Sequence, residues 1–192
     1  MANQVPSEWQ SARGSGTFIT GPDMPGEDFR SADLSNIYLE DTNLKGTKFH
    51  SADLTNFRCM SCNLEMADFV GAGFDHTMFM DCNLSGAQLR GALLDSCSFP
   101  ASELSEADME DVVLERAQLL GTVFGKTNLV RVSFRGACAK SAYFRGANLS
   151  NADFTGADLT DCDFLGARLD GATFAGAKID GAKFDTGVVV DT

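Results

Sequence analysis

A large apolar residue recurs at every fifth position of this chain, from Phe29 to Phe184, without a break in register. Of the 32 positions at this spacing, 30 hold Leu, Phe, Met or Ile, and the exceptions are Cys59 and Ala139. Thirteen of the fifteen phenylalanines stand there, and each large residue follows a small one, often Ala, Thr or Cys, by two positions. The chain is therefore built from a five-residue unit repeated over most of its length.

A period of five matches neither a helix nor a strand, whose side chains repeat every 3.6 and 2.0 residues. On a helix, five residues advance about 140° beyond a full turn, so the large residues would scatter around the whole cylinder. A solenoid accommodates the pattern better. We expect each unit to form one side of a coil, with its large residue pointing to the axis.

Several units carry the same letters. The segments 147–151, 152–156 and 157–161 read ANLSN, ADFTG and ADLTD, and they resemble the A-(D/N)-L-x-x signature of pentapeptide-repeat proteins. The resemblance covers roughly residues 17–186. It implies an all-β fold, a right-handed quadrilateral parallel β-helix with four units to each coil and about eight coils in all.

The domain organisation follows from where the repeat begins and ends. Residues 17–186 are predicted to form the pentapeptide-repeat β-helix. Residues 1–16 are polar and rich in Ser and Gly, which predicts a mobile N-terminal arm or cap. Residues 187–192 form a short C-terminal tail, in which Val188, Val189 and Val190 could cap the last coil or provide an edge for self-association.

Cysteine placement and hydropathy bear on the compartment. No apolar run approaches membrane-spanning length, and a signal-peptide pattern is missing, so we expect a cytoplasmic protein without membrane contact. Most cysteines occupy the small slot, where they behave as small hydrophobic residues. Stacking by 20 residues would place Cys62 beneath Cys82. Stacked reduced thiols and a disulfide both agree with that spacing.

The residue types that carry catalysis are not grouped in this sequence. His50 and His76 fall on outward positions of different sides, and the glycines follow the corner period without forming a phosphate-binding loop. The Cys59–Cys62 spacing lacks a second ligand pair. We therefore predict no catalytic residues, no metal ligands and no cofactor, and the chain is expected not to be an enzyme.

Sorting the outward residues by a period of 20 reveals an apolar stripe on one side of the predicted rod. Contiguous exposed apolar surface marks interaction sites, and methionine suits an adaptable one. We expect this stripe to bind another protein or a second copy of the chain. Alternatively, Trp9 of the N-terminal segment could cover it. The stripe residues are Tyr38, Met60, Met78, Met80, Pro100 and Leu120.

Charge is arranged in bands, and the chain carries a formal net charge of −12. Acids alone occur between Arg90 and Arg116, and bases alone between Arg116 and Asn151. The basic band could bind nucleic acid or an acidic partner. It could instead pair with the acids one coil earlier, which would stabilise the coil order. The expected pairs are Glu106–Lys126, Asp111–Arg131 and Glu115–Arg135.

The resemblance to pentapeptide-repeat proteins implies a second function. Some members protect DNA gyrase or topoisomerase IV from poisons, because an acidic rod mimics duplex DNA. This chain lacks the apolar C-terminal helix and the projecting loops of that group. Its net charge disfavours direct nucleic-acid binding. The mimicking acidic face would comprise Asp33, Asp53, Asp75, Asp95 and Glu115. A homodimer through a rod end or through the stripe is the remaining partner hypothesis.

Overall fold

The computed structural model describes residues 5–188 and 190–191. Its regular elements are one helix and four short strands: α1 (Ser7–Ala12), β1 (Ile19–Thr20), β2 (Tyr38–Glu40), β3 (Arg58–Met60) and β4 (Met78–Met80). The strands form one parallel sheet in the order β1-β2-β3-β4. Elsewhere, successive coils meet at single-residue parallel bridges between residues 20 apart, from Asp28↔Lys48 to Asp163↔Lys183. Twenty residues per coil means four units per coil, so the predicted four-sided parallel β-helix is confirmed.

Backbone hydrogen bonds between coils follow the same period. The N–H of Phe29 donates to the carbonyl of Lys48 at 2.9 Å, and the N–H of Lys48 donates back to Glu27 at 2.8 Å. At each corner a third bond closes the turn, as from Ala32 to Phe29 at 3.0 Å. The ladder satisfies backbone groups that the buried core could not.

The corners depend on a left-handed residue in every unit. From Gly26 to Gly181, every fifth residue has a positive φ, and 19 of these residues are not glycine. They include bulky residues such as Met66, with φ of 57°, and Arg116, with φ of 56°. For an L-residue this conformation costs about 1–2 kcal/mol. The inter-coil ladder must therefore outweigh a strain that recurs along the whole rod.

The core is a column of stacked side chains. Phe144 lies parallel to Phe124 and Phe164, with ring centroids 5.0 and 4.8 Å away. It meets the edge of Phe134 at 5.7 Å and 85°. Two phenylalanine columns thus stack within each column and pack edge to face between columns, which are the arrangements that aromatic rings favour.

The N-terminal segment lies over the first coil. Trp9 of α1 is fully buried, and its ring stands 5.5 Å from that of Phe29. Arg13 binds Asp33 at 2.6 Å. Trp9 therefore covers the end of the core and not the apolar stripe, contrary to the alternative expectation. Residues 1–4 of the predicted arm, and Val189 and Thr192 of the predicted tail, lie outside the described residues. The domain boundaries stay predictions.

The small slot has a second role that its composition did not reveal. Where it holds Thr or Cys, the side chain donates to the carbonyl of the large residue 23 positions earlier. Thr77 reaches Leu54 at 2.7 Å, and Cys97 reaches Phe74 at 2.9 Å. Thr and Cys can therefore replace Ala inside the core, because their polar hydrogen has a partner there.

All six cysteines are free thiols, so Cys62 and Cys82 are stacked but not bonded. Cys138 is partly exposed and the other five are buried. Burial raises the pKa of the Cys97 thiol to about 11 and that of Cys162 to about 12. The pKa of Cys59 also lies well above its ordinary value, because the thiol is buried. At neutral pH these three thiols stay protonated.

Replacing Phe144 by Ala should lower the free energy of unfolding by about 3–5 kcal/mol, because the change leaves a cavity in the middle of a phenylalanine stack. Denaturant titration followed by circular dichroism measures the effect. Tyr143→Ala is the matched control. Tyr143 precedes Phe144 but points outward and is 47% exposed. Equal losses of stability in the two variants would contradict the assigned orientation of this unit.

Thiol labelling should separate Cys138 from the other five cysteines. Titration of the native chain with Ellman's reagent should modify one thiol quickly, and guanidinium should expose all six, since only accessible thiolates react. Cys138→Ser should remove the fast phase. A fast phase that persists in this variant would show that a thiol assigned to the core reaches solvent.

Candidate partner-binding surface

The six stripe residues occupy two adjacent columns on one side of the rod. In one column, β2, β3 and β4 place Tyr38, Arg58 and Met78 in register. In the other column, Glu40 is followed by Met60 and Met80. The backbone bonds Asp81 to Pro100 and Ala101 to Leu120 continue that second column toward the C-terminus. Four successive coils thus present Met60, Met80, Pro100 and Leu120 one above another.

Packing between neighbours reduces the exposure of the stripe. Leu120 is 55% exposed, whereas the other five residues are half-buried. Other large apolar residues are at least as exposed, including Met66 at 63% and Leu93 at 70%, but they lie on separate sides. The stripe is therefore distinguished by its continuity and by its base of multi-residue strands, rather than by the exposure of any single side chain.

Two residues that sequence reasoning omitted complete the stripe. The Arg58 guanidinium lies over the Tyr38 ring, 4.9 Å from its centroid, and so places a cation inside the apolar surface. The ring of Phe18 lies 5.6 Å from that of Tyr38 and extends the stripe by one coil. The signal was available, because Phe18 and Arg58 stand 20 residues on either side of Tyr38.

The acidic face is partly neutralised within the chain. Asp33 binds Arg13 at 2.6 Å, and Asp95 binds Arg116, also at 2.6 Å. The Ser35 hydroxyl, together with Arg13, lowers the pKa of Asp33. The remaining members are Glu115, which lies 3.9 Å from Arg116, Asp75, which has His76 at 3.6 Å, and Asp53, which accepts the N–H of Thr55.

The basic band is paired throughout. Two of the three expected pairs are present, Lys126–Glu106 at 3.7 Å and Arg131–Asp111 at 2.7 Å. The third expectation was wrong, because Arg135 turns to the next coil and binds Asp153 at 2.8 Å. The other members are also paired: Arg116 with Asp95, Lys140 with Asp158 and Arg145 with Asp163. The structural interpretation of the band thus explains all six cations.

Chemistry-bearing groups stay apart in the described residues. No three His, Cys, Asp or Glu side chains there are arranged to hold a metal ion. His50 and His76 are both exposed and lie on different sides of the rod. In the part of the chain that the structure describes, no helix has the length and apolarity needed to cross a membrane.

Comparison with known sequences identifies the repeat. The family described as pentapeptide repeats matches the chain in eight copies, over residues 28–58, 58–95, 107–146 and 147–185. A search of curated protein sequences gave no match. The family match spans most of the chain and agrees with the 20-residue coil.

Solved structures share this fold. Rfr23, a pentapeptide repeat protein of the cyanobacterium Cyanothece 51142, is 23% identical with a TM-score of 0.54, over 59% of this chain and 91% of Rfr23. A pentapeptide repeat protein from the thylakoid lumen of Arabidopsis thaliana is 27% identical with a TM-score of 0.50, over 53% and 70%. QnrB1, a plasmid-mediated fluoroquinolone resistance protein, is 19% identical with a TM-score of 0.43, over 88% and 94%.

Both lines of comparison agree with the predicted right-handed quadrilateral β-helix, and proteins of this kind are typically structural or interaction scaffolds. The chain belongs to the pentapeptide repeat family.

Proposed function

We propose that this protein is a non-catalytic scaffold that binds another protein through the apolar stripe. The observation that carries the proposal is the alignment of Met60, Met80, Pro100 and Leu120 on four successive coils, with Met78 beside them. Apolar surface that is contiguous across coils loses area to water in the free protein and regains it in a complex.

The methionines suit this role. Met60, Met78 and Met80 are half-buried, so each has apolar surface left for a partner. Their unbranched side chains can change rotamer and fit different contours. The strands beneath them are held by the inter-coil ladder, which supports the proposal of an adaptable surface on a rigid base.

The backbone of the surface needs little rearrangement to receive a partner. Phe79 and Cys59 anchor the two central strands from within and are fully buried. A partner would therefore order only a few side chains, each costing about 0.5–1.5 kcal/mol, and no loop would have to fold on binding.

The competing hypothesis is protection of DNA gyrase or topoisomerase IV through the acidic face. DNA mimicry needs a continuous negative field. Asp33 and Asp95 already face arginines, and the six cations of the basic band lie further along the rod. These contacts weaken the field that the net charge alone suggests.

Replacing both Met78 and Met80 by Glu should abolish capture of a partner by immobilised protein, because two carboxylates would then enter an apolar interface. The measurement is a comparison of the proteins retained from cell lysate by wild type and variant. Leu120→Glu, at the most exposed stripe position, should act in the same direction.

The matched control replaces Val123 and Tyr143 by Glu. These two apolar outward residues bridge adjacent coils on another side, so the control adds equal charge and removes comparable surface. Loss of the same retained protein in both double variants would contradict the site.

A supercoiling assay with purified DNA gyrase, with and without a fluoroquinolone, tests the alternative directly. The scaffold hypothesis expects no effect. Inhibition or rescue that disappears in Asp75→Lys/Asp95→Lys, and persists in the Met78 and Met80 variant, would replace it by the DNA-mimic hypothesis.

A further inference from the structure

The charges around the apolar stripe indicate the chemistry of its partner. We infer that the stripe binds an amphipathic helix lying along the rod axis, with lysine or arginine residues flanking its apolar face. This inference rests on the proposed function and adds the partner's shape and charge.

An acidic rim borders the stripe on one edge. It consists of Glu40, Asp41 and Asp81, which adjoin the methionine column in β2 and β4. Asp41 and Asp81 are exposed at left-handed corners, with φ of 48° and 52°. No described basic side chain forms an ion pair with any of the three, whereas the acids of the following coils do have such partners. The rim therefore retains charge that a cationic partner can neutralise.

The opposite edge is also acidic near the centre of the stripe. Asp75 stands three residues before Met78, and its side chain is 72% exposed. A second copy of the chain would bring acidic edges together whether the two rods ran parallel or antiparallel. With a net charge of −12 on each copy, like charges would oppose self-association. Charge complementarity favours a basic partner over a second copy.

The spacing of the stripe distinguishes a helix from an extended segment. Coils repeat about every 4.8 Å along the axis, so the four aligned residues from Met60 to Leu120 span about 14 Å. One helical turn rises about 5.4 Å, and three turns drift from the coils by only about 2 Å. On a strand, residues facing one side recur about every 6.7 Å, and three repeats drift by about 6 Å. A helix of about ten residues thus places one apolar side chain on each coil.

Two peptides of identical leucine and lysine composition and about 14 residues test the inference, because only their patterns differ. One places leucine at helical spacing and the other alternates leucine with lysine. Fluorescence anisotropy with the full-length protein measures binding of each. We expect the helix-patterned peptide to bind at least about tenfold more tightly, and replacement of its lysines by glutamate to abolish binding.

Variants of the protein separate the rim from its general charge. Asp41→Lys/Asp81→Lys should weaken the helix-patterned peptide about tenfold at low salt, and less as ionic strength rises. The control is Asp161→Lys, because Asp161 is an exposed corner residue in the same column, beyond the stripe. It should leave binding nearly unchanged. Met78→Glu/Met80→Glu gives the sharpest result, since it adds negative charge and should still weaken the peptide.

Several results would overturn the inference. They are absence of binding by the helix-patterned peptide, equal or better binding of the alternating or glutamate peptide, an equal effect of Asp161→Lys, or tighter binding by the Met78 and Met80 variant. If the peptides fail while capture from lysate still depends on Met78 and Met80, the proposed function stands and only the helix inference is lost. If both fail, the stripe is not a binding site.

Discussion

Backbone hydrogen bonds between residues 19 and 21 apart hold this rod together, and the other features of the structure depend on them. They require that every side of every coil have the same length, which the five-residue unit provides. They also require a left-handed residue at each corner, including many that are not glycine. One inserted or deleted residue would shift the ladder for all later coils, so the register is kept without a break from Phe29 to Phe184.

The ladder also decides what the surface can be. Residues 20 apart lie on adjacent coils, so each outward column behaves like one face of a parallel sheet. The basic band illustrates this arrangement, because all of its cations bind carboxylates on neighbouring coils or sides. Exposed pairs of this kind contribute perhaps 0.2–1 kcal/mol each. Repeated along the rod, they also leave little unpaired positive charge for an external ligand.

The apolar stripe is the surface that such pairing does not explain. Its residues interrupt the polar pattern on one side only, over the coils where the chain forms true strands. Arg58 over Tyr38 and the acidic rim of Glu40, Asp41 and Asp81 give it a charge pattern that differs from a simple greasy patch. The scaffold proposal and the basic-helix inference both follow from that combination.

The sequence alone determined the repeat, the four-sided coil through its family resemblance, the inward residues and the membership of the stripe, because each follows from position modulo five or twenty. It also anticipated the Lys126–Glu106 and Arg131–Asp111 pairs. Only the tertiary structure decided that Arg135 binds Asp153, that Trp9 covers Phe29, and that most of the stripe is half-buried. Long side chains reach diagonally between coils, and a helix outside the repeat has no period to place it. Such contacts depend on three-dimensional distances that residue spacing does not contain.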